Sequence, residues 1–204
     1  MKTKNPLISV VIVAGLKRLR ELIRCLRSIK RSTYKNYEVI VVDNSSSSLL
    51  AKVKTEFPQI RGYQMPENTG IFGYNVGFAN SQGEYILALD DDSTIKPDTL
   101  GKISEIFSRK PSTVVVISPN FYNPIYKYSY CKKYLDSKPK KIYAFLGGGV
   151  VFRKSIFPKI GYYDPDFFCW YHELDLAVRV LNGGFEIHFE PEIVVFPSWK
   201  EGRF

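Results

Sequence analysis

Short apolar runs alternate along the chain with longer segments in which apolar residues recur at helical spacing. Residues 7–14 (LISVVIVA), 37–43 (YEVIVVD) and 84–90 (EYILALD) are dominated by β-branched and aliphatic residues, which is typical of buried strands. STVVVISP, residues 112–119, is a fourth run of this kind. Between the first two runs, the apolar positions from Leu19 to Ile29 repeat with the period of a helix. This alternation predicts βαβ units and a mainly parallel sheet.

Beyond these runs the pattern is less regular. It predicts a helix over about 72–81, a helix opened by Pro97, a helix over 174–181 that Gly183 and Gly184 end, and two short strands at 185–191 and 192–197. Residues 119–143 interleave tyrosine with lysine and show no apolar period. No repeat or linker divides the chain.

Length and composition indicate one globular domain. The chain has 204 residues, 45% of them hydrophobic and 24% charged, and no apolar run approaches the length of a membrane span. The N-terminus MKTKNP has no apolar signal-peptide core. Cys25, Cys131 and Cys169 are odd in number and widely spaced, which favours free thiols in a reducing compartment.

The formal net charge of +9 favours an anionic partner. Nucleotides, nucleic acids, lipid head groups and phosphorylated substrates all qualify, and solubility alone is an equal alternative. The basic residues are scattered along the chain and are not gathered on one recognition helix, which makes nucleic acid the least favoured partner.

The stretch YILALDDDSTIKP, residues 85–97, ends a buried strand on Asp90, Asp91 and Asp92. Adjacent carboxylates repel each other and lose hydration when buried, so a positive group is expected beside them. A Lys or Arg, the N-terminus of the next helix, or a metal would each serve. Oxygen ligands select Mg²⁺ or Mn²⁺. The alternative is a polar turn with helix-capping residues.

Two further groups of residues are candidates for chemistry. NTGIFGYNVG, residues 68–77, is rich in glycine but is neither G-x-G-x-x-G nor a Walker A sequence. Glu173 and Asp175 lie at a helix start, where Glu173 is a candidate general base and Asp175 is placed to pair with Arg179. HELDL is not H-E-x-x-H, which argues against a zinc protease.

Taken together and in order, these segments resemble the family 2 glycosyltransferases, and among them the rhamnosyltransferase-like group. The resemblance spans about residues 7–196 and is carried by the first two strands, by NTGIFGYNVGFANSQGEYILALDDDS, and by GGGVVFRK through HELDLAVRV to EIVVF. It implies the GT-A fold, an α/β fold with helices on both faces of a mostly parallel central sheet. One domain would comprise a nucleotide-sugar-binding part (about 1–118) and an acceptor and catalytic-base part (about 119–204).

The resemblance also assigns roles to individual residues. The implied catalytic base is Glu173, and the implied metal ligands are Asp90 and Asp92. The implied nucleotide-sugar-binding residues are Ala14, Asp43, Asn68, Gly70, Asn75, Asp90, Asp91 and Asp92. The implied acceptor-binding residues are Gly148, Trp170 and His172.

The implied chemistry is inverting transfer of a sugar from a nucleotide-diphosphate sugar to an acceptor hydroxyl, assisted by Mn²⁺ or Mg²⁺. Three positions depart from the family pattern. AGLKR follows the first strand in place of a Thr-Tyr-Asn-like turn, Glu173 stands where an Asp is usual, and Pro197 stands where a metal-binding His is often found. The last departure predicts a weaker requirement for metal.

The expected acceptor is a glycan, a glycolipid, a protein glycan or another lipid-linked acceptor, contacted by residues 119–143 and by Trp170 stacking on a sugar. The alternatives are a solvated loop and core packing, respectively. The expected location is the cytoplasm, with peripheral contact to a membrane surface as an option. Two other functions remain open: a sugar-1-phosphate nucleotidyltransferase, although AGLKRLRE lacks its glycine-rich signature, and a non-catalytic binder of nucleotide sugars or glycans.

Overall fold

The computed structural model describes residues 5–15, 18–45, 49–123, 128–129 (backbone only) and 138–198. The strands are β1 (Ile8–Ala14), β2 (Tyr37–Asp43), β3 (Arg61–Gln64), β4 (Tyr85–Asp90), β5 (Ser93–Ile95), β6 (Val114–Asn123), β7 (Tyr128–Ser129), β8 (Lys140–Ile142), β9 (Val151–Arg153) and β10 (Glu186–Pro197). The helices are α1 (Leu19–Lys30), α2 (Leu49–Glu56), α3 (Phe72–Asn80), α4 (Thr99–Arg109), α5 (Phe157–Ile160) and α6 (His172–Asn182).

The described strands form one sheet in the order β3-β2-β1-β4-β9-β6-β10-β5, with β7 beside β6 and β8 beside β10. The strands from β3 to β4 are parallel, as the alternation of strands and helices predicts. β9 runs antiparallel between β4 and β6, and β10 is parallel to β6 but antiparallel to β5 and β8. The predicted α/β class is confirmed, and the sheet is mixed beyond β4.

Helices cover both faces of the sheet because successive strand residues point to opposite sides. Val10 and Ile12 pack in one core cluster, which contains residues of α1, α2 and α4. Val11, between them, packs in a second cluster with residues of α3 and α6. The apolar stripe of α1 is buried through Leu22, Leu26 and Ile29, as its spacing predicts.

The C-terminal strand differs from its prediction. The two short strands predicted at 185–191 and 192–197 are one continuous strand, β10. Its pairing with β6 shifts register between Glu190 and Val194, around Pro191, which has no N–H for a ladder hydrogen bond. Its last residue, Pro197, pairs with Ser93 of β5, so this strand ends beside the aspartates.

A polar cluster joins four segments near the amino-terminal ends of the parallel strands. Glu38, near the start of β2, accepts hydrogen bonds from Ser9 Oγ (2.7 Å), Arg61 Nη1 (2.7 Å) and the backbone N–H of Gln82 (2.6 Å). These bonds tie β1, β2, β3 and the turn before β4 to one carboxylate.

Predictions about membrane spans, cysteines and the tyrosine- and lysine-rich segment can also be compared with the structure. Within the described residues, no helix is long and apolar enough to cross a membrane. Cys25 is buried and Cys169 is exposed, both with free thiols, and Cys131 lies outside the described residues. An acceptor role is predicted for the tyrosine- and lysine-rich segment 119–143, of which residues 124–127 and 130–137 also lie outside the described residues.

Candidate active site

A pocket of about 550 Å³ lies at the carboxyl edge of the parallel strands. The segments after β1 and β4 line it, together with the glycine-rich turn before β9 and the turn that leads into α6. Parallel strands joined by βαβ crossovers end at one edge of the sheet, which brings these distant segments together.

The chain itself supplies a positive group beside the aspartates. Arg18 precedes α1, and its Nη1 lies 3.3 Å from Asp91 Oδ1 and 3.2 Å from Asp92 Oδ2. The backbone N–H of Gly15 donates to Asp91 Oδ2 over 3.2 Å. Both carboxylate oxygens of Asp91 are therefore bound by the segment between β1 and α1. Arg24, on α1, donates a hydrogen bond from Nη2 to the backbone oxygen of Asp92 over 3.0 Å. This bond links α1 to the turn that carries the aspartates.

Asp90 has different neighbours, on α3 and in the glycine-rich turn. The Tyr74 hydroxyl donates to Asp90 Oδ1 over 2.9 Å. Gly148 has a φ of +75°, and a Cβ there would lie 2.3 Å from Asp90 Oδ2. Glycine adopts this backbone conformation readily and leaves room for the carboxylate. Gly148, predicted as an acceptor contact, thus shapes the space that Asp90 occupies.

Two of the three aspartates are weak acids in the fold. Burial, as the largest cause, and the neighbouring Asp92 together raise the pKa of Asp90 to about 6, while the Tyr74 hydrogen bond opposes the shift. Burial also raises the pKa of Asp91 to about 7, despite the Gly15 hydrogen bond and the charge of Arg18. An additional cation at this edge would favour the ionised carboxylates.

Glu173 reaches the pocket from the first turn of α6. Its Oε1 accepts a hydrogen bond from the backbone N–H of Gly147 over 3.2 Å, and His172 Nε2 lies 3.2 Å away. Burial alone would raise the pKa of Glu173, but the His172 contact and the backbone hydrogen bonds hold it below its usual value. The ring of Tyr163 meets the ring of His172 edge-on, with 4.9 Å between the ring centroids.

The turn before α6 carries three exposed aromatic side chains, Phe168, Trp170 and Tyr171, which we call the aromatic mouth; the first two line the pocket. Trp170 is 69% exposed, so it stands at the mouth and does not pack in the core. Tyr171 has a φ of +68°, a left-handed conformation that is unusual for a bulky side chain. The carbonyl of Phe168 accepts the N–H of Ile71, and Gly70 (φ +57°) lies so close that a Cβ would be 2.0 Å from that oxygen.

Most of the residues implied by the resemblance lie in this one pocket. Those that line it are Asn68, Gly70, Asp90, Asp91, Asp92, Gly148, Trp170, His172 and Glu173. The Asp175–Arg179 ion pair predicted on α6 is also present.

Ala14, Asp43 and Asn75 do not line the pocket. Ala14 and Asp43 are buried register partners at the ends of β1 and β2. Asp43 Oδ1 accepts from the N–H of Ser45 over 3.0 Å, as expected for an Asx turn. Asn75 exchanges hydrogen bonds with the backbone of Tyr163 (2.7 and 3.0 Å), so it braces the loop that carries Tyr163.

Gly15, Arg18, Asn44, Tyr74 and Gly147 are among the residues that line the pocket and that sequence reasoning missed. Asn44 immediately follows Asp43, and its side chain bonds Asn68 Oδ1 (3.0 Å) and the Gly70 carbonyl (2.9 Å). The turn after β2 therefore supports the glycine-rich segment through Asn44. The pairing of Arg18 with aspartates more than seventy positions away left no local signal.

The residues present fit a divalent ion held by few protein ligands. Asp92 Oδ1 is buried and has no hydrogen-bond partner in the part of the chain that the structure describes. Within that part, no group of three or more metal-type side chains is assembled. Pro197, beside Ser93, offers no ligand atom from its side chain. Mg²⁺ or Mn²⁺ commonly binds through one or two carboxylates with phosphates and waters, which this donor set matches.

The fold is the GT-A fold of glycosyltransferases. The crystal structure of GalNAc-T7 with UDP, GalNAc and Mn²⁺ matches this chain with a TM-score of 0.79 and 17% sequence identity. The match covers 98% of this chain and 45% of that one. The chain belongs to glycosyl transferase family 2, whose model matches residues 9–161.

Two relatives extend the comparison. The uncharacterized glycosyltransferase YwdF of Bacillus subtilis is 28% identical over 177 residues, which cover 78% of this chain and 62% of the relative. The uncharacterized glycosyltransferase RT0329 of Rickettsia typhi is 27% identical over 210 residues, which cover 95% of this chain and 64% of the relative. The chain thus spans under two thirds of the length of these relatives.

Proposed function

We propose that this chain is an inverting glycosyltransferase that moves a sugar from a nucleotide-diphosphate sugar to an acceptor hydroxyl. The observation that carries the proposal is that Asp90, Asp92 and Glu173 line one pocket. An acidic edge suited to a metal-bound diphosphate and a carboxylate suited to accept a proton are the two parts that such a transfer requires.

Glu173 is the proposed base. Its pKa is held below the usual value, so the carboxylate is ionised at neutral pH and ready to accept the proton of an acceptor hydroxyl. The Gly147 N–H and His172 bind Oε1, which orients the carboxylate and leaves Oε2 for the acceptor. The acceptor oxygen forms its bond to the anomeric carbon as the bond to the diphosphate breaks on the opposite face.

Asp90 and Asp92 are the proposed ligands of Mn²⁺ or Mg²⁺, which when bound would stabilise the negative charge of the departing diphosphate. Support comes from Asp92 Oδ1, which is buried and has no hydrogen-bond partner among the described residues. The Mn²⁺ and UDP present in the GalNAc-T7 structure add to it. Asn68 and Gly70 line the same pocket as candidate donor contacts.

The proposed acceptor is a glycan or a lipid-linked glycan that enters past the aromatic mouth. Gly148, Trp170 and His172, the candidate acceptor contacts, line the pocket. An exposed indole offers the flat apolar face on which sugar rings stack.

A thermal-shift panel of nucleoside diphosphates and nucleotide sugars, with and without Mn²⁺, tests the donor. A nucleotide that binds the folded chain raises its melting temperature through linkage. Incubation with the stabilising donor should then release nucleoside diphosphate. Release of pyrophosphate would indicate a nucleotidyltransferase, and binding with no turnover in the presence of candidate acceptors would indicate a non-catalytic binder.

Glu173→Gln tests the base. Gln keeps the size of the side chain but cannot accept the proton, so kcat should fall at least about a hundredfold while donor binding remains. Glu192→Gln, at an exposed position of β10, is the matched control and should transfer sugar like the wild type. Equal kcat for Glu173→Gln and the wild type would contradict this assignment.

A further inference from the structure

Arg18 is the feature of the pocket that the proposed function does not use. Among the described residues that line the pocket, Arg18 is the one lysine or arginine. Four carboxylates line the same space, those of Asp90, Asp91, Asp92 and Glu173. A diphosphate brings further negative charge, so it requires positive charge at this edge before it can bind.

The contacts of Arg18 leave part of its guanidinium available. Nη1 lies against Asp91 and Asp92, and the side chain is 24% exposed. Among the described residues, Nε and Nη2 have no hydrogen-bond partner. A guanidinium presents its donors in a planar fork that matches phosphate oxygens. Arg18 can therefore hold the carboxylates through one nitrogen and an anionic ligand through the others.

Asp91 has the contacts of an anchor for this arginine. One of its oxygens binds Arg18 and the other accepts the Gly15 N–H, so the carboxylate is held by the segment between β1 and α1. The anchor fixes a flexible, long side chain at the acidic edge, which reduces the conformational entropy lost when a ligand binds.

We propose that Arg18 is a donor-binding residue whose guanidinium contacts the diphosphate of the nucleotide sugar, positioned by Asp91. This inference rests on the proposed function and adds a positive charge, carried by the chain, to the one that a divalent ion would bring. A nucleoside diphosphate therefore retains measurable affinity for this pocket when metal is removed.

Isothermal titration calorimetry with UDP, GDP and dTDP, each in EDTA and in Mn²⁺, tests the inference on the whole chain. In EDTA, Arg18→Gln should weaken binding of the preferred diphosphate about tenfold or more, because a charge-assisted hydrogen bond is lost. In Mn²⁺ the loss should be smaller. Arg20→Gln, at an exposed position two residues later, is the matched control and should bind like the wild type.

Two further arms separate contact with the diphosphate from a structural role. The corresponding nucleoside should bind Arg18→Gln and the wild type equally, since it has no phosphate; an equal loss for nucleoside and diphosphate would overturn the inference. Arg18→Lys keeps the charge without the fork and should show an intermediate loss. If Arg18→Gln fails to fold by circular dichroism, Arg18→Lys decides, and unchanged diphosphate binding by it overturns the inference.

The remaining outcomes distinguish this inference from the proposed function. Wild-type affinity, or tighter binding, of the diphosphate by Arg18→Gln in EDTA would show that Arg18 only occupies the acidic edge, and would overturn the inference alone. A wild-type chain that binds none of the three diphosphates in either condition would overturn both.

Discussion

Asp90, Asp91 and Asp92 are neighbours in the sequence, yet each has a different environment. Asp90 bonds Tyr74, Asp91 is enclosed by Gly15 and Arg18, and Asp92 keeps one buried oxygen without a partner among the described residues. Such differences arise because side chains after a strand end point in different directions. A D-x-D spacing alone gives no indication of which carboxylate is free to bind a ligand.

The raised pKa of Asp91 makes a prediction about stability and pH. Its folded-state pKa, about 7, lies above its ordinary value of 3.8, so the folded protein binds more protons than the unfolded chain between these values. Stability from this group is therefore greatest at low pH and is lost as the pH rises through about 7, on the order of a few kcal/mol at most. Asp91→Asn should reduce this loss.

Urea unfolding at pH 5 and pH 8 in EDTA measures the effect. The difference in unfolding free energy between the two pH values should be smaller for Asp91→Asn than for the wild type. Asp166→Asn, at an exposed position, controls for the change in net charge. An identical pH dependence in the wild type and Asp91→Asn would contradict the prediction.

Gly148→Ala tests the space around Asp90. The added Cβ would lie 2.3 Å from Asp90 Oδ2 on a backbone with φ +75°, so both strain and collision are expected. We expect a loss of about 1–3 kcal/mol in unfolding free energy and weaker binding of the donor with Mn²⁺. Thermal melts and calorimetry measure the two effects.

Gly101→Ala is the matched control for this substitution. Gly101 lies in α4, and a Cβ added there would have no neighbour from another part of the fold within 4 Å, so alanine should stabilise the helix by about 0.5–1 kcal/mol. If Gly148→Ala is as stable as the wild type and binds donor normally, the tight fit around Asp90 is wrong.

At the scale of elements, the apolar patterns predicted β1, α1, β2 and β4 because each of these buries a contiguous apolar run or stripe. The antiparallel insertion of β9 between β4 and β6 was not predictable in this way, since strand order depends on pairing between distant segments. Likewise, the pattern predicted two short strands where β10 continues through a register shift around Pro191.

Glu38 fixes the start of β2 through its three hydrogen bonds. Burial alone would raise its pKa, but hydrogen bonds from Ser9, Gln82 and Arg61 hold the pKa below its usual value. The stability it contributes is therefore present above the ordinary pKa of a glutamate and is lost as the pH falls through the lowered value.

Glu38→Gln should consequently destabilise the chain at pH 7 by about 1–3 kcal/mol, because the amide cannot satisfy all three donors as a carboxylate does. The difference from the wild type should shrink at pH 3, because low pH favours the protonated glutamate and removes part of the contribution of the carboxylate. Glu56→Gln breaks an exposed pair with Arg27 and should have a smaller effect. Urea unfolding at both pH values measures this, and equal effects of the two substitutions at pH 7 would contradict it.

At the scale of the whole molecule, the pocket is assembled from segments far apart in the sequence. Asp90, Asp92 and Glu173 could be selected from the sequence because strand ends and helix starts carry local signals. Arg18 and Tyr74 could not, since their importance depends on which distant segment folds against them. The sequence likewise did not indicate that Asn75 braces a loop and does not face the pocket.

Because the indole of Trp170 is exposed at the aromatic mouth, its fluorescence can report on binding there. The chain contains two tryptophans, Trp170 and Trp199, and the latter lies outside the described residues. An acceptor that covers Trp170 would replace water around the ring, and its emission would shift toward the blue. In a Trp199→Phe background, intrinsic fluorescence would then follow occupancy of the mouth in real time, without any label.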